Sequence, residues 1–401
     1  MPATRKPDAG MAEAAFEKRV KRRVSARVHE FFAVCPPGLR LLCHRELTGL
    51  TAPVKNIEAV PGGVTFFGKL MDACAANLWL RSPSRILMRL ARFRAQHFSE
   101  LEKKLQAMDW ELFLPAGTEP AIQVTTHTSR LYHTDAVAQR CRSVIRAALG
   151  GNCTGDTQPR NDLQGQTLMV RSENNRFEVS LDMSGIPLFK RNIKKQVTAA
   201  PLRENLAFAI LDALHFSSED LLMDPMCGSG TFAIEGAMIQ ARVPPGFFRR
   251  FACEAWPAFS PAAFAHVKSM AAGQIRPGGP VFASDIDPGA VAATAANLAG
   301  HAFLSPVQVF QHDFFDLVPD RLTRKKGVLV LNPAYGRRLE TTRDTKTFYK
   351  EVAQKLKTDF KGWRVGVIFP QKQFGGMNFL KLRPLPFFHG GLDLAAGIGT
   401  V

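Results

Sequence analysis

The sequence predicts an α/β protein: a mostly parallel sheet with helices on both faces in the C-terminal half, preceded by an α+β half. Three observations carry this reading. From Pro201 onward, apolar runs of strand length alternate with helical stretches, the pattern of parallel strands joined by crossover helices. Before Pro201, strand-like and helical runs mix without that alternation. A glycine-bearing turn, Gly228-Ser-Gly230, lies where the first strand of the C-terminal half should end and a helix begin.

Taken in order, residues before about Val28 read as an appended tail, with Lys18, Arg19, Lys21, Arg22, Arg23 and Arg27 crowded onto a segment of helical character. Such a run is either a solvated face or an arm that grips a polyanion. Phe31 to Val34, a helical stretch from Leu39 to Leu50, and a Gly62-Gly63 turn into Val64-Thr-Phe-Phe67 form a small α/β unit, too short to stand alone. To about Arg191, helical periodicity at Leu70–Trp79, Phe98–Met108 and Ala136–Leu149 mixes with strand-like runs at Ile86–Ala91, Ile122–Thr126, Thr167–Val170 and Phe177–Asp182. Turn-rich Gly150 to Gln166 interrupts this stretch.

The second half then alternates. A helix at Leu202–Leu214 is followed by strand Leu221–Asp224, helix Phe232–Ala241, strand Val281–Asp285 and helix Ala290–Leu298. Runs at Val307–Phe310, Val328–Leu331 and Val365–Phe369 complete the expected sheet.

A chain of 401 residues exceeds what one hydrophobic core fills, so two or three domains are expected. Its formal charge of +17, from 52 Lys and Arg against 35 Asp and Glu, would draw phosphates around it and favours nucleic acid over acidic protein or anionic lipid as partner. The 7 cysteines are odd in number and form no C-x-x-C arrangement, which disfavours a disulfide framework and a metal site. No apolar run approaches the roughly 18 residues of a membrane span, and the Arg-rich start lacks the apolar core of a secretory signal. A cytoplasmic protein is expected, with no membrane and no metal among its partners; the sequence assigns no oligomeric state.

The chemistry concentrates at predicted strand ends. In Asp224-Pro-Met-Cys-Gly228-Ser-Gly230-Thr231 the glycines let backbone approach a ligand closely. Gly228, Gly230 and Ala233 also satisfy the dinucleotide pattern. The glycines nevertheless begin four residues after Asp224, and no acid follows a strand about 20 residues on, so a nicotinamide site is disfavoured. Asp285, ending Phe282-Ala-Ser-Asp, is placed to accept both hydroxyls of a ribose, whereas Asp287 serves as well as a helix cap. Asp313, after the third strand, is placed to accept from an adenine amino group or to cap a turn.

Asn332-Pro-Ala-Tyr-Gly336 follows the apolar strand Gly327–Leu331. Exocyclic amines are poor nucleophiles because their lone pair is delocalised into the ring. The Asn332 oxygen and the Pro333 carbonyl could accept the two amino hydrogens and favour a more tetrahedral nitrogen able to attack a methyl group. Tyr335 could stack on a flipped base. The same residues also suit a plain turn.

These motifs resemble those of class I methyltransferases carrying a THUMP RNA-binding domain, especially the N-terminal half of the bifunctional bacterial enzymes that make N2-methylguanosine in large-subunit ribosomal RNA. The resemblance runs from about Phe31 to Val401. Its most specific pieces are Asp224-Pro-Met-Cys-Gly-Ser-Gly-Thr-Phe-Ala-Ile-Glu235, Leu181-Asp-Met-Ser-Gly185 to Lys190-Arg191, Ala200-Pro-Leu-Arg-Glu-Asn-Leu206 and Ser284-Asp-Ile-Asp-Pro288.

The resemblance implies a Rossmann-like methyltransferase sheet over 192–401, a ferredoxin-like unit plus THUMP domain over 29–191, and a basic tail over 1–28. It implies S-adenosylmethionine as cofactor, with Asp224, Gly228 and Gly230 along its methionine part, Asp285 at the ribose and Asp313 at the adenine. Met226 and Ile286 would be further cofactor contacts, and Pro201-Leu202 would cover the cofactor. Asn332, Pro333 and Tyr335 would hold the target base, with structured RNA, 23S ribosomal RNA in particular, as partner.

Two departures stand out. The family's Asn-Pro-Pro-Tyr is Asn-Pro-Ala-Tyr here, which frees the φ of Ala334. The sequence stops at Val401 without a second methyltransferase half, so one modification is expected. Two rival readings are an adenine-N6 DNA methyltransferase, which shares the amine-binding motif, and a catalytically silent RNA-binding or ribosome-assembly factor.

Overall fold

The computed structural model describes residues 9–150, 165–197, 201–333, 345–372 and 380–401. After helix α1 (Ala9–Val20) and a single π-helical turn at Lys21–Ser25, the first half runs β1 (His29–Val34), α2 (Arg40–Thr48), β2 (Lys55–Val60), β3 (Gly63–Gly68), α3 (Leu70–Trp79) and β4 (Arg85–Arg94). It continues with α4 (Phe98–Gln106), β5 (Ala121–His127), α5 (Thr134–Leu149), β6 (Thr167–Glu173) and β7 (Arg176–Asp182).

These strands form one 7-stranded sheet in the order β2-β3-β1-β4-β7-β6-β5, antiparallel except for the β5–β6 pair. The small α/β unit is therefore joined edge to edge, through β1 and β4, to the remaining strands of the first half, which is how a segment too short to stand alone finds a core. The basic segment at the start is not merely appended. Val24 is 0% exposed in the first core cluster, and Arg19 pairs with Asp109 and Glu111 while Arg23 pairs with Asp109.

The second half contains α6 (Glu204–Ala213), β8 (Leu222–Asp224), α7 (Thr231–Gln240), α8 (Pro261–Ala272), β9 (Val281–Asp285), α9 (Pro288–Leu298) and β10 (Val307–Gln311). It ends with β11 (Val328–Leu331), α10 (Thr345–Asp359), β12 (Arg364–Pro370), β13 (Arg383–His389) and β14 (Leu392–Thr400). Their sheet has the order β10-β9-β8-β11-β12-β14-β13. The five strands from β10 to β12 run parallel, and β14 and β13 close the far side antiparallel.

Residues along these parallel strands alternate between two cores. Leu222, Val281, Ala283, Val328 and Val330 pack with α6 and α7, whereas Met223, Phe282, Leu329 and Leu331 pack with Tyr349, Val352 and Leu356 of α10. Burial on both faces explains why β11 reads as the unbroken apolar run Val-Leu-Val-Leu.

By contacts the chain divides into two units, and not at a single point. One comprises residues 1–35, 43–188 and 249–268; the other comprises 36–42, 189–248 and 269–401. No helix of the described residues is long and apolar enough to cross a membrane, and no cluster of three or more His, Cys, Asp or Glu among them could hold a metal ion.

Candidate active site

The chain starts its second sheet in the middle. After β8 it builds outward through β9 and β10, then returns to the other side of β8 to lay down β11 and β12. Ligands of open parallel sheets bind at this reversal, beyond the carboxyl ends of the strands. Because the strands are parallel, Asp224, Asp285, Asp313 and Asn332, each at or just after the end of its strand, all fall at that edge.

The loop from β8 to α7 is held from outside. The Gly228 N–H donates to Asp285 Oδ2 at 2.9 Å, and the Thr294 hydroxyl donates to the Gly228 carbonyl at 2.8 Å. Asn297 Nδ2 reaches the Ser229 carbonyl at 3.2 Å. Gly230 has φ +80°, and a Cβ there would come within 2.9 Å of Thr294 Cγ2, so glycine is required for both conformation and space. Cys227 is buried, and burial pushes its thiol pKa upward, with the Asp224 charge adding to the effect. That environment suits packing, not nucleophilic attack.

Asp285 accepts the Gly228 N–H on one oxygen and the Asp287 N–H, at 3.1 Å, on the other. Asp287 takes the capping role: its side chain accepts the Gly289 N–H at 2.9 Å at the start of α9, with Pro288 in the first turn. Ile286, between them, is 64% exposed. The His312 N–H donates to the Asp285 carbonyl at 3.0 Å and so ties the ends of β9 and β10 together. Asp313 Oδ1 accepts the Phe315 N–H at 2.9 Å, a turn-capping contact.

Asp224 is 1% exposed, and neither carboxylate oxygen has a hydrogen-bond partner among the described residues. Its pKa is raised well above the usual carboxylate range by burial first and by the Asp285 charge second; the Ala233 N–H opposes this only weakly, without a full hydrogen bond. Asn332 Oδ1 is likewise buried without a partner among the described residues, and Pro333 beside it is buried. Such orphaned acceptors are costly unless a ligand supplies donors. Ala334, Tyr335 and Gly336 lie outside the described residues.

Pro201 and Leu202 meet the same loop. The Thr231 hydroxyl, at the start of α7, reaches the Leu202 carbonyl at 3.4 Å. The Pro201 carbonyl accepts from His389 Nε2 at 3.2 Å; burial, then the nearby Arg203, lower that histidine's pKa and favour its neutral form. Met226 is half-buried against the α10-side core.

Sequence reasoning missed the residues that brace this loop. Asn297 makes four hydrogen bonds: it accepts from the Lys195 and Gln196 N–H groups, each at 2.8 Å, and donates to the Gln196 and Ser229 carbonyls. Lys194 Nζ pairs with Glu204 at 2.9 Å and donates to Thr231 Oγ1 at 2.8 Å. Arg191 and Glu235 form a fully buried pair at 3.3 Å. A signal for the first was present: Thr294 and Asn297, three apart, are the polar residues of an otherwise apolar helix.

A central reversal, a glycine turn with positive φ and acids closing successive parallel strands define a class I S-adenosylmethionine-dependent methyltransferase. Residues 191–381 match the RMKL-like methyltransferase domain, and residues 30–87 match the RlmL ferredoxin-like domain.

Among curated relatives, the ribosomal RNA large subunit methyltransferase K/L of Methylococcus capsulatus is 30% identical over 350 residues, covering 84% of this chain and 46% of the relative. The chain thus spans about half the length of the K/L relatives it matches. YpsC of Bacillus subtilis is 28% identical over 354 residues, 86% of this chain and 89% of YpsC. The crystal structure of SMU.472 complexed with SAH superposes with a TM-score of 0.78 at 26% identity, covering 93% of this chain and 98% of that one.

Proposed function

We propose that the chain methylates an exocyclic amino group of a base in structured RNA, with guanine N2 of 23S ribosomal RNA as the target. The observation that carries the reading is Asn332 Oδ1, a buried acceptor without a partner among the described residues, immediately after a strand beside the sheet's reversal point. RNA is favoured over DNA by the K/L relatives, which are named for ribosomal RNA, and by the chain's +17 charge. Such a substrate puts the protein in the cytoplasm.

The residues fit the cofactor. Asp224, buried with two unpartnered oxygens, suits the ammonium of its methionine part, and Gly228 and Gly230 leave backbone bare for close approach. Each Asp285 oxygen makes one protein hydrogen bond and keeps a lone pair for a ribose hydroxyl. Ile286 offers exposed apolar surface to the adenine, Asp313 an acceptor for its amino group, and Met226, Pro201 and Leu202 the surrounding walls. When bound, the cofactor supplies a methyl group on a sulfonium centre.

The chain's own contribution is to the nucleophile. Asn332 Oδ1 and the Pro333 carbonyl accept the two amino hydrogens, draw the nitrogen lone pair out of conjugation and fix its direction. Tyr335 stacks on the base. The test is transfer of labelled methyl to undermethylated 23S ribosomal RNA, followed by nucleoside analysis. N2-methylguanosine supports the proposal, N6-methyladenosine selects the rival base, and no transfer with intact RNA binding selects the silent factor.

A further inference from the structure

We propose that one end of the first sheet is a docking platform for an unpaired nucleotide of the RNA substrate, with Tyr132 as its stacking surface and Arg94 and Arg176 as its phosphate ligands. This deepens the functional reading and rests on RNA being the substrate. Strand pairing sets Arg94, ending β4, directly opposite Arg176, starting β7. Both lie on the sheet face that carries Arg92 and Glu178.

The charges next to them on that face are matched among the described residues. Arg89 and Arg92 share Glu30 and Glu178, and Glu173, the β6 neighbour of Arg176, is held by Arg171 at 3.0 Å. Arg94 and Arg176 are exposed, and neither makes an ion pair or hydrogen bond among the described residues. Like charges directly opposite each other destabilise a sheet. An anion between them removes that cost.

The surroundings are rigid. The Ala95 N–H donates to the Asn175 carbonyl at 3.1 Å, the Asn174 N–H to the His127 carbonyl at 3.2 Å, and the Arg130 N–H to Asn175 Oδ1 at 2.7 Å. Ser129 Oγ accepts the Asn175 N–H at 3.0 Å, and the Arg130 guanidinium donates to Gln96 at 3.1 Å. Three turns are locked to one another by these bonds.

Within them Thr128 holds φ +48°, a left-handed conformation that a β-branched residue rarely adopts and that recurs at ligand sites. Next to buried Leu131, Tyr132 is 63% exposed, its ring backed by His133 at a centroid distance of 4.0 Å. A supported, solvent-facing ring on the turn that also carries Arg130, with the unpaired arginines at the same end of the sheet, matches a base with its phosphates.

The test uses the full chain, undermethylated 23S ribosomal RNA and filter binding over a salt series. Arg94→Ala/Arg176→Ala should lower the slope of log affinity against log salt by about 1.5, at about 0.7–0.9 per phosphate contact. Tyr132→Ala should weaken binding on the order of tenfold and raise the KM for RNA while turnover at saturating RNA stays unchanged; Tyr132→Phe, which keeps the ring, should bind like the wild type. Unaltered affinity and slope in all variants, with wild-type methylation intact, would place RNA elsewhere and leave the functional reading standing. A loss confined to the arginine variant would mark phosphate contacts without base stacking and overturn the nucleotide platform. A wild type that neither binds nor methylates RNA refutes both readings.

Discussion

The Gly228 amide donates to a carboxylate oxygen of Asp285 at 2.9 Å, so an acid at the end of β9 fixes the backbone of the loop after β8. The other oxygen accepts from Asp287, the cap of α9. Asp285 therefore shapes the loop before any ligand arrives, and its remaining lone pairs are oriented by those two bonds.

This double duty separates two substitutions. Asp285→Ala removes both the loop bond and the proposed ribose acceptors, and titration calorimetry with S-adenosylmethionine should show a large loss of affinity. Asp285→Asn keeps one acceptor oxygen and turns an amide toward one of the two N–H groups, so its loss should be intermediate. Wild-type binding by Asp285→Ala would remove the ribose assignment.

Asp224 should make the ligand-free protein pH-sensitive. Its folded-state pKa is raised by burial and then by Asp285, so the stabilising, protonated form is fully present below the usual carboxylate value and is lost as pH rises through the raised one. Asp224→Asn removes that loss. Melting curves between pH 4 and 8 should show the variant gaining on the wild type as pH increases, by about a few degrees at neutral pH, while cofactor affinity falls. Parallel pH profiles for the two proteins would contradict a buried carboxylate without partners.

Gly230 combines a conformational and a steric demand. Gly230→Ala costs roughly 1–2 kcal/mol for the left-handed conformation, before its Cβ meets Thr294 Cγ2 at 2.9 Å. It should lower Tm and cofactor affinity together. Thr294→Ser removes that methyl and keeps the hydroxyl bonded to Gly228, so the double variant should recover part of the loss. No recovery would mean that conformation alone sets the cost.

The parallel core was legible because strands buried on both faces must be apolar throughout: β9 and β11 fall at Val281–Asp285 and Val328–Leu331, as their composition predicts. Three strands were not legible. β2 is exposed or half-buried along its length and is the edge of its sheet, so it carries no apolar run. β13 is also an edge strand, pairing only with β14, and contains Pro384 and Pro386, which normally argue against a strand. Two residues apart, these prolines turn their missing donors to the same unpaired side, where no ladder bond is lost. β14, with Ala395, Ala396, Gly397 and Gly399, lacks the large β-branched pattern that marks strands and is held by neighbours on both sides.

At the site, strand-terminal acids could be named from sequence because parallel strands bring their ends to one edge. The bracing by Asn297 and Lys194 could not, since it depends on which face of a helix meets a loop distant in sequence.

In the proposed reaction the deciding residue is Asn332. Its Oδ1 is buried without a partner among the described residues, an arrangement that costs stability and is relieved when an amine donates to it. Asn332→Ala removes both the cost and the acceptor, so the ligand-free protein should keep or slightly gain thermal stability and should still bind cofactor. Turnover should fall on the order of 10²-fold, as for loss of one preorganised polar group. Ala334→Pro would restrict the backbone beside it and should leave methylation equal or faster. The assay is labelled-methyl transfer to undermethylated 23S ribosomal RNA under saturating cofactor, with turnover and KM for RNA measured separately. A fall in turnover with KM little changed fits an acceptor that acts on the reacting nitrogen. Full turnover in Asn332→Ala would mean that the amine is held by other groups and that the orphaned oxygen serves no step of the reaction.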